Sequence, residues 1–169
     1  KLCGGTPEKQ ITNHLFLKLS AFEDKLLNWL TNKNYWKSNV IKFTNNWLKN
    51  GLHDRAITRD ISWGVPVPLK GFESKRIYVW FDAVIGYLAA SKEWAQKQNK
   101  PDLWKSWWIN PEAKHYYFLA KDNIPFHSII WPSILMGYNT DYNLPYDIPA
   151  NEYLCLSGEQ FSKSSCVAI

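Results

Sequence analysis

Gly158-Glu159-Gln160-Phe161-Ser162-Lys163-Ser164-Ser165 places an ammonium among hydroxyls, directly after the apolar run Tyr153-Leu154-Cys155-Leu156. A short polar loop of this composition can lay a compact positive charge and several hydrogen-bond donors on a phosphate chain. Ser-Lys-Ser is also a common surface tripeptide and by itself specifies nothing. A second chemically capable pair, Lys121-Asp122, follows the apolar stretch His115-Tyr116-Tyr117-Phe118-Leu119. A carboxylate at a strand end can accept hydrogen bonds from ribose hydroxyls. It can equally form a salt bridge or cap the helix expected to begin near Pro125.

The elements that must hold these groups are legible as a rhythm. His14-Leu15-Phe16-Leu17-Lys18-Leu19 alternates in part and predicts a short strand. Ser20 with Glu23 has the spacing of a capping box, and Phe22, Leu26, Leu27 and Leu30 give the helix after it an apolar stripe. A second helix is expected over residues 38–50, with Gly51 as its left-handed stop and Val40, Ile41, Phe43, Trp47 and Leu48 inward. Trp63-Gly64-Val65-Pro66-Val67-Pro68 excludes a helix and predicts an ordered connection over 58–76. Beyond it, Arg76-Ile77-Tyr78-Val79-Trp80-Phe81, residues 115–119 and Glu152-Tyr153-Leu154-Cys155-Leu156 read as strands. Helices over 83–98 and 125–137 separate them, the second starting with Pro125 in its first turn and kinking at Pro132. Near-continuous apolar strands alternating with helices predict an α/β protein whose parallel sheet is buried on both faces. Ligands of such sheets sit outside the C-terminal strand ends.

The chain has 169 residues, 46% of them hydrophobic, with 10 Trp and 9 Tyr, which is enough for a sizeable core and argues against disorder. No apolar run reaches membrane-spanning length, no signal peptide is visible, and both ends read as cut. The net charge of +5 permits contact with an anionic partner such as tRNA, and equally describes a lysine-solvated surface. Cys3, Cys155 and Cys166 have no disulfide-like spacing, which points to a reducing, cytoplasmic compartment.

Residues 58–68, 78–87, 118–132 and 151–165, in that order, resemble blocks of the methionyl-tRNA synthetases, class I enzymes, in their archaeal and eukaryotic form. The similarity extends across essentially the whole chain. It implies a Rossmann-like doubly wound parallel sheet, of which residues 58–169 form the second half, preceded over 1–57 by the end of a small α+β connective insertion. It implies ATP, with Mg2+, activating methionine as an adenylate for transfer to tRNA(Met). On this resemblance Lys163 is the catalytic cation, matching the second lysine of the family's Lys-Met-Ser-Lys-Ser loop. Gln160 replaces the first lysine and Phe161 the Met. Lys121, Asp122, Leu154, Ser162 and Ser164 join Lys163 as ATP contacts: Asp122 at the ribose, Leu154 through its backbone at adenine. Trp80, Tyr87 and His127 match the methionine pocket, with Ala83 and Asn123 lining it, and a tyrosine hydroxyl and an imidazole N–H are expected to orient near the sulfur. Val84 stands where bacterial members have proline, and Asn123 where they have isoleucine. Arg59 matches an arginine near the active site and either meets a phosphate or braces the 63–68 segment.

Cys3-Gly4-Gly5-Thr6-Pro7 is similar to the trailing half of a zinc knuckle. One cysteine cannot complete a tetrahedral site, so zinc belongs to an intact connective domain and is not expected here. No His-Ile-Gly-His-like element occurs in the sequence. This polypeptide alone is therefore expected not to activate methionine. Two alternatives stay open: a synthetase for another aliphatic amino acid, which would need other residues at 80, 87 and 127, and a non-catalytic RNA-binding derivative of the fold.

Overall fold

A computed structural model describes Thr6 and residues 8–138, 141–156 and 159–160. The helices are α1 (Glu23–Leu30), α2 (Ser38–Lys49), α3 (Val79–Lys97), α4 (Lys105–Trp108) and α5 (Trp131–Tyr138). The strands are short: β1 (Phe16–Leu17), β2 (Arg55–Ala56), β3 (Thr58–Arg59), β4 (Arg76–Ile77), β5 (Leu119–Ala120), β6 (Ala150–Asn151), β7 (Cys155–Leu156) and β8 (Glu159–Gln160). They pair as β1–β2, β3–β4 and β7–β8, all antiparallel, and β5–β6, parallel. A parallel bridge between Tyr116 and Asp147 extends the last of these toward its start. Among the described residues, the expected succession of parallel strands is thus reduced to one parallel pair.

The clearest departure is at residues 76–81. The apolar run leaves the strand at Ile77, and α3 begins at Val79, carrying Trp80 into the helix. Five consecutive apolar residues, Ile77 to Phe81, give no period that separates strand from helix. The deciding signals lie further on. Val84, Leu88 and Ala95 recur on one buried helical face, Asp82 complements the positive end of the first turn, and Lys97 the negative end of the last. The Tyr78 carbonyl accepts from Asp82 N–H at 3.1 Å, closing the first turn.

The capping box at Ser20 does not form. Residues 19–22 make a 3-10 turn, and the Ser20 hydroxyl and N–H both donate to Asp54 Oδ1, at 2.7 and 3.1 Å. Glu23 instead accepts from Leu52 N–H at 3.0 Å. A distant carboxylate has displaced the local one. The second helix ends as expected: Gly51 has φ +75°, and its N–H reaches the Leu48 carbonyl. Its inward side is Val40, Thr44 and Leu48, while Phe43 lies exposed. The 58–76 connection is ordered by β3–β4 pairing and by Lys75, which donates to Asp60 and to Thr12 at 2.5 and 2.8 Å. Gly64 has φ +127°, and a Cβ there would stand 3.3 Å from Arg76 Cβ, so a side chain would be strained on both counts.

Residues 124–138 tie the molecule together, because each part of the segment enters a different apolar cluster. Ile124 packs with Trp36, Val40, Ile148 and Ala150. Ile129 and Ile130 pack with Leu19, Leu26, Leu48 and Leu52. Trp131 and Leu135 pack with Val84, Leu88, Trp108, Tyr117 and Tyr142. Packing therefore crosses residue 57 freely. Phe126–Ile130 forms a wide π turn that passes directly into α5, with Pro132 at its second residue. The proline that was expected to kink an α-helix thus follows a stretch of altered winding.

The Thr44 hydroxyl donates to Ser128 Oγ at 2.9 Å, with both residues buried, pinning α2 to the π turn. Thr44→Val is expected to lower unfolding free energy by about 1–3 kcal/mol by stranding the Ser128 hydroxyl. Much of that loss should return in the Thr44→Val/Ser128→Ala double variant, as read by urea denaturation. Equal losses in both variants would remove the bond from the stability account.

Candidate active site

Starting α3 at Val79 has a direct consequence for the site. Trp80, Ala83 and Tyr87, spaced by three and four residues, fall on one face of a single helix. That face is open: Trp80 and Tyr87 are each 45% exposed, and Ala83 is exposed as well. Opposite them stands the segment after β5, where a 3-10 turn (Lys121–Asn123) leads through Pro125 into the π turn.

His127 joins the two sides. It is buried, 5% exposed, with Nε2 3.0 Å from the Tyr87 hydroxyl and Nδ1 2.9 Å from the Asn123 carbonyl oxygen. A carbonyl only accepts, so Nδ1 carries the proton and Nε2 takes the hydrogen of the Tyr87 hydroxyl. This corrects one expectation, since no imidazole N–H is left to face a sulfur. The group presented is the Tyr87 hydroxyl oxygen, with its lone pairs. Trp80 stacks on Phe126 with centroids 5.2 Å apart and planes at 27°. Phe126 was missed in the sequence. Its signal was position, directly before His127 on the same turn. Tyr87 and His127 thus meet directly, Asn123 joins them through its backbone carbonyl, and Trp80 is linked through Phe126, the residue next to His127, with Ala83 on the same helical face.

The second group collects at the C-terminal ends of the parallel pair β5–β6. Lys121 Nζ lies 2.8 Å from Glu152 Oε2 and 4.1 Å from the Tyr153 ring centroid. Asp122 accepts a hydrogen bond from the Tyr153 hydroxyl. Leu154 is 71% exposed. Asp122 stands at a strand end, but its partner is the Tyr153 hydroxyl, and among the described residues it makes neither the expected salt bridge nor the helix cap. Lys121 is engaged in an ion pair, which weakens it as a phosphate ligand. Asp122 and Asn123 are consecutive, so one turn links the two groups. Ser162, Lys163 and Ser164 lie outside the described residues, as does Cys3.

The profile of the family described as tRNA synthetases class I (M) matches residues 1–169. The chain belongs to this family. Similar proteins include the methionine–tRNA ligases of Thermoplasma acidophilum, 57% identical over 96% of the chain and 30% of the relative, and of Dehalococcoides mccartyi, 58% over 96% and 29%. That of Thermomicrobium roseum is 52% identical over 100% of the chain and 29% of the relative. Among solved structures, Mycobacterium tuberculosis methionyl-tRNA synthetase in complex with methionyl-adenylate is similar with a TM-score of 0.72 and 29% identity, covering 90% of this chain and 28% of that one. Its apo form gives 0.64 and 28%, covering 82% and 26%. The chain spans about 30% of the length of the curated relatives it matches. The likeness assigns it to a Rossmann-like class I synthetase domain.

In this class I synthetase segment, Arg59 acts as a brace. Its Nη1 donates to the Ala56 and Thr58 carbonyls at 2.9 and 2.7 Å, and the guanidinium lies 3.8 Å over the Tyr78 ring, immediately before α3. It holds β3 and the entry to α3 rather than the 63–68 segment. Among the described residues, no group of three or more His, Cys, Asp or Glu is arranged to hold a metal, and no helix is long and apolar enough to cross a membrane.

Burial holds the His127 imidazole below the ordinary histidine range, partly offset by its bond to the Asn123 carbonyl. His115 is lowered by burial in the same way, against its bond to the Trp107 carbonyl. Both histidines stay neutral in the fold, while the unfolded chain takes up protons near pH 6.5. Stability should therefore fall as pH drops below about 6.5 toward the depressed folded values. Thermal melts between pH 7.5 and 5.5 check this. A Tm that is flat across that interval, or that rises on acidification, contradicts the assignment.

Proposed function

We propose that the chain is part of a methionine–tRNA ligase, supplying the methionine pocket and half of the nucleotide site. The observation that carries this reading is the Asn123–His127–Tyr87 hydrogen-bond chain, set beside Trp80 on one open helix face. Selecting a thioether requires shaped aromatic contacts, because sulfur–ring interactions contribute only about 0.3–1.5 kcal/mol each. Trp80 and Phe126 offer ring surface, Ala83 leaves room, and Tyr87, oriented by neutral His127, offers a fixed polar contact.

The methionine carboxylate is ionised at neutral pH and needs no enzyme nucleophile. Its oxygen attacks the α-phosphate of ATP, the bond from that phosphorus to the bridging oxygen breaks, and pyrophosphate leaves. The protein aligns two anions and stabilises charge on the phosphates. We assign the ribose to Asp122, adenine to the backbone near Leu154, and the phosphates, with Mg2+, to Lys163, Ser162 and Ser164. Lys121 serves the site through its Glu152 pair. A hydroxyl of tRNA(Met) then attacks the adenylate's methionyl carbonyl, forming an ester as AMP leaves, in the cytoplasm.

Within this reading, residues 1–57 close the connective insertion and 58–169 form the second half of the catalytic domain. The β5–β6 pair is one edge of the doubly wound sheet, completed by other parts of the ligase. A zinc knuckle including Cys3 would likewise need ligands from elsewhere. The isolated chain should give no ATP–pyrophosphate exchange above a Lys163→Ala control. Exchange by the full-length ligase should depend on methionine and on Trp80, Tyr87 and His127. If it is indifferent to all three, the reading fails, and salt-sensitive RNA binding without exchange would favour the non-catalytic alternative.

A further inference from the structure

Behind the methionine-side residues stands one more aromatic. Tyr117 is buried at the strand that leads into β5, its N–H donating to the Asp147 carbonyl at 3.0 Å. Its ring meets Tyr87 edge-on at 5.3 Å between centroids and lies 5.2 Å from His127. It therefore touches both members of the Tyr87–His127 bond while being itself buried. Its hydroxyl accepts from Trp131 Nε1 at 3.0 Å, and Trp131 is 1% exposed. The wedge is thus held at one end by the strand and at the other by the most buried ring of α5. Burial also pushes its phenol up to about 12, so it stays neutral and adds no charge beside His127.

We infer that Tyr117 is a positioning residue for methionine selection, fixing the angle at which Tyr87 and His127 meet the ligand without touching it; this rests on the methionine pocket assigned above. Tyr87 is half exposed on a helix face, and one hydrogen bond leaves its ring free to swing about χ1 and χ2. The edge contact from Tyr117 removes that freedom. The contact is made by the ring, so the hydroxyl matters only to Trp131.

The test compares Tyr117→Leu, Tyr117→Phe and the control His127→Ala in a full-length ligase carrying this segment, by steady-state ATP–pyrophosphate exchange. Tyr117→Leu is expected to raise the methionine KM about ten-fold, the factor carried by one or two aromatic contacts, with kcat and the ATP KM unmoved. Tyr117→Phe, which keeps the ring, should restore the methionine KM to within about two-fold of the parent. Should Tyr117→Leu fail to fold, Tyr117→Met fills similar volume without a ring edge, and the same split is expected. A methionine KM unchanged in Tyr117→Leu while His127→Ala raises it overturns the inference and leaves the pocket standing. Parallel losses in kcat and both KM values, unrescued by phenylalanine, reduce Tyr117 to a core residue. If His127→Ala is itself silent, the pocket assignment fails and the inference falls with it.

Discussion

Lys163→Ala, made in a full-length ligase carrying this segment, should slow adenylate formation about 100- to 1,000-fold while leaving the methionine Kd within about two-fold. The asymmetry follows from the chemistry. The nucleophile is already charged, so the barrier lies in bringing a carboxylate onto a polyphosphate and in holding the charge that accumulates as pyrophosphate departs. A compact ammonium among serine hydroxyls suits that charge. The structure removes the obvious substitute, because Lys121 Nζ is 2.8 Å from Glu152 and lies against Tyr153. Lys121→Ala should accordingly have the smaller effect on the chemical step. Single-turnover measurements separate binding from chemistry. Losing methionine affinity and rate equally in Lys163→Ala would argue against a phosphate role for this lysine.

Trp80→Ala should show the reverse pattern. The indole is exposed on one side and stacked on Phe126 on the other, so it forms a wall rather than part of the core. Removing it takes away the largest apolar surface beside Tyr87, and the methionine Kd should rise about 10- to 100-fold. The chemical step at saturating methionine should change far less. The fold should persist, since the α3 core face, Val84, Leu88 and Ala95, is untouched. Equilibrium methionine binding decides this, and an unchanged Kd would take Trp80 out of the pocket.

The candidate site was legible through the family resemblance, which matched its residues one by one. Trp80, Ala83 and Tyr87 keep a helical interval, and Asn123 and His127 sit one turn apart, so their meeting survived an error in the element that bears them. That error was a helix read as a strand at residues 79–81. It came from an apolar run without period, and the correct signal was the 84, 88, 95 repeat beyond it. Contacts made at long range were invisible. Asp54 replaced Glu23 as the partner of Ser20, and Glu152 claimed Lys121, because nothing in a local window says which distant carboxylate will arrive. Phe126 and Tyr117 were passed over for the opposite reason. Lone aromatics are usually core, and only the geometry shows that these two stand against Trp80, Tyr87 and His127. Among the described residues the parallel sheet is limited to the β5–β6 pair, since strand-like composition at residues 76–81 and 152–156 does not by itself supply partners for a ladder.

The central claim is that one aromatic cleft on α3 and the π turn receives the thioether. Anomalous scattering from L-selenomethionine bound to a full-length ligase carrying this segment tests it most directly. A single selenium peak within about 4 Å of the Trp80 ring and the Tyr87 hydroxyl, the distance of van der Waals contact, is the predicted result. A peak elsewhere, for example in the cavity of about 320 Å³ bordered by Leu30, Lys33, Trp36 and Thr44, would contradict it.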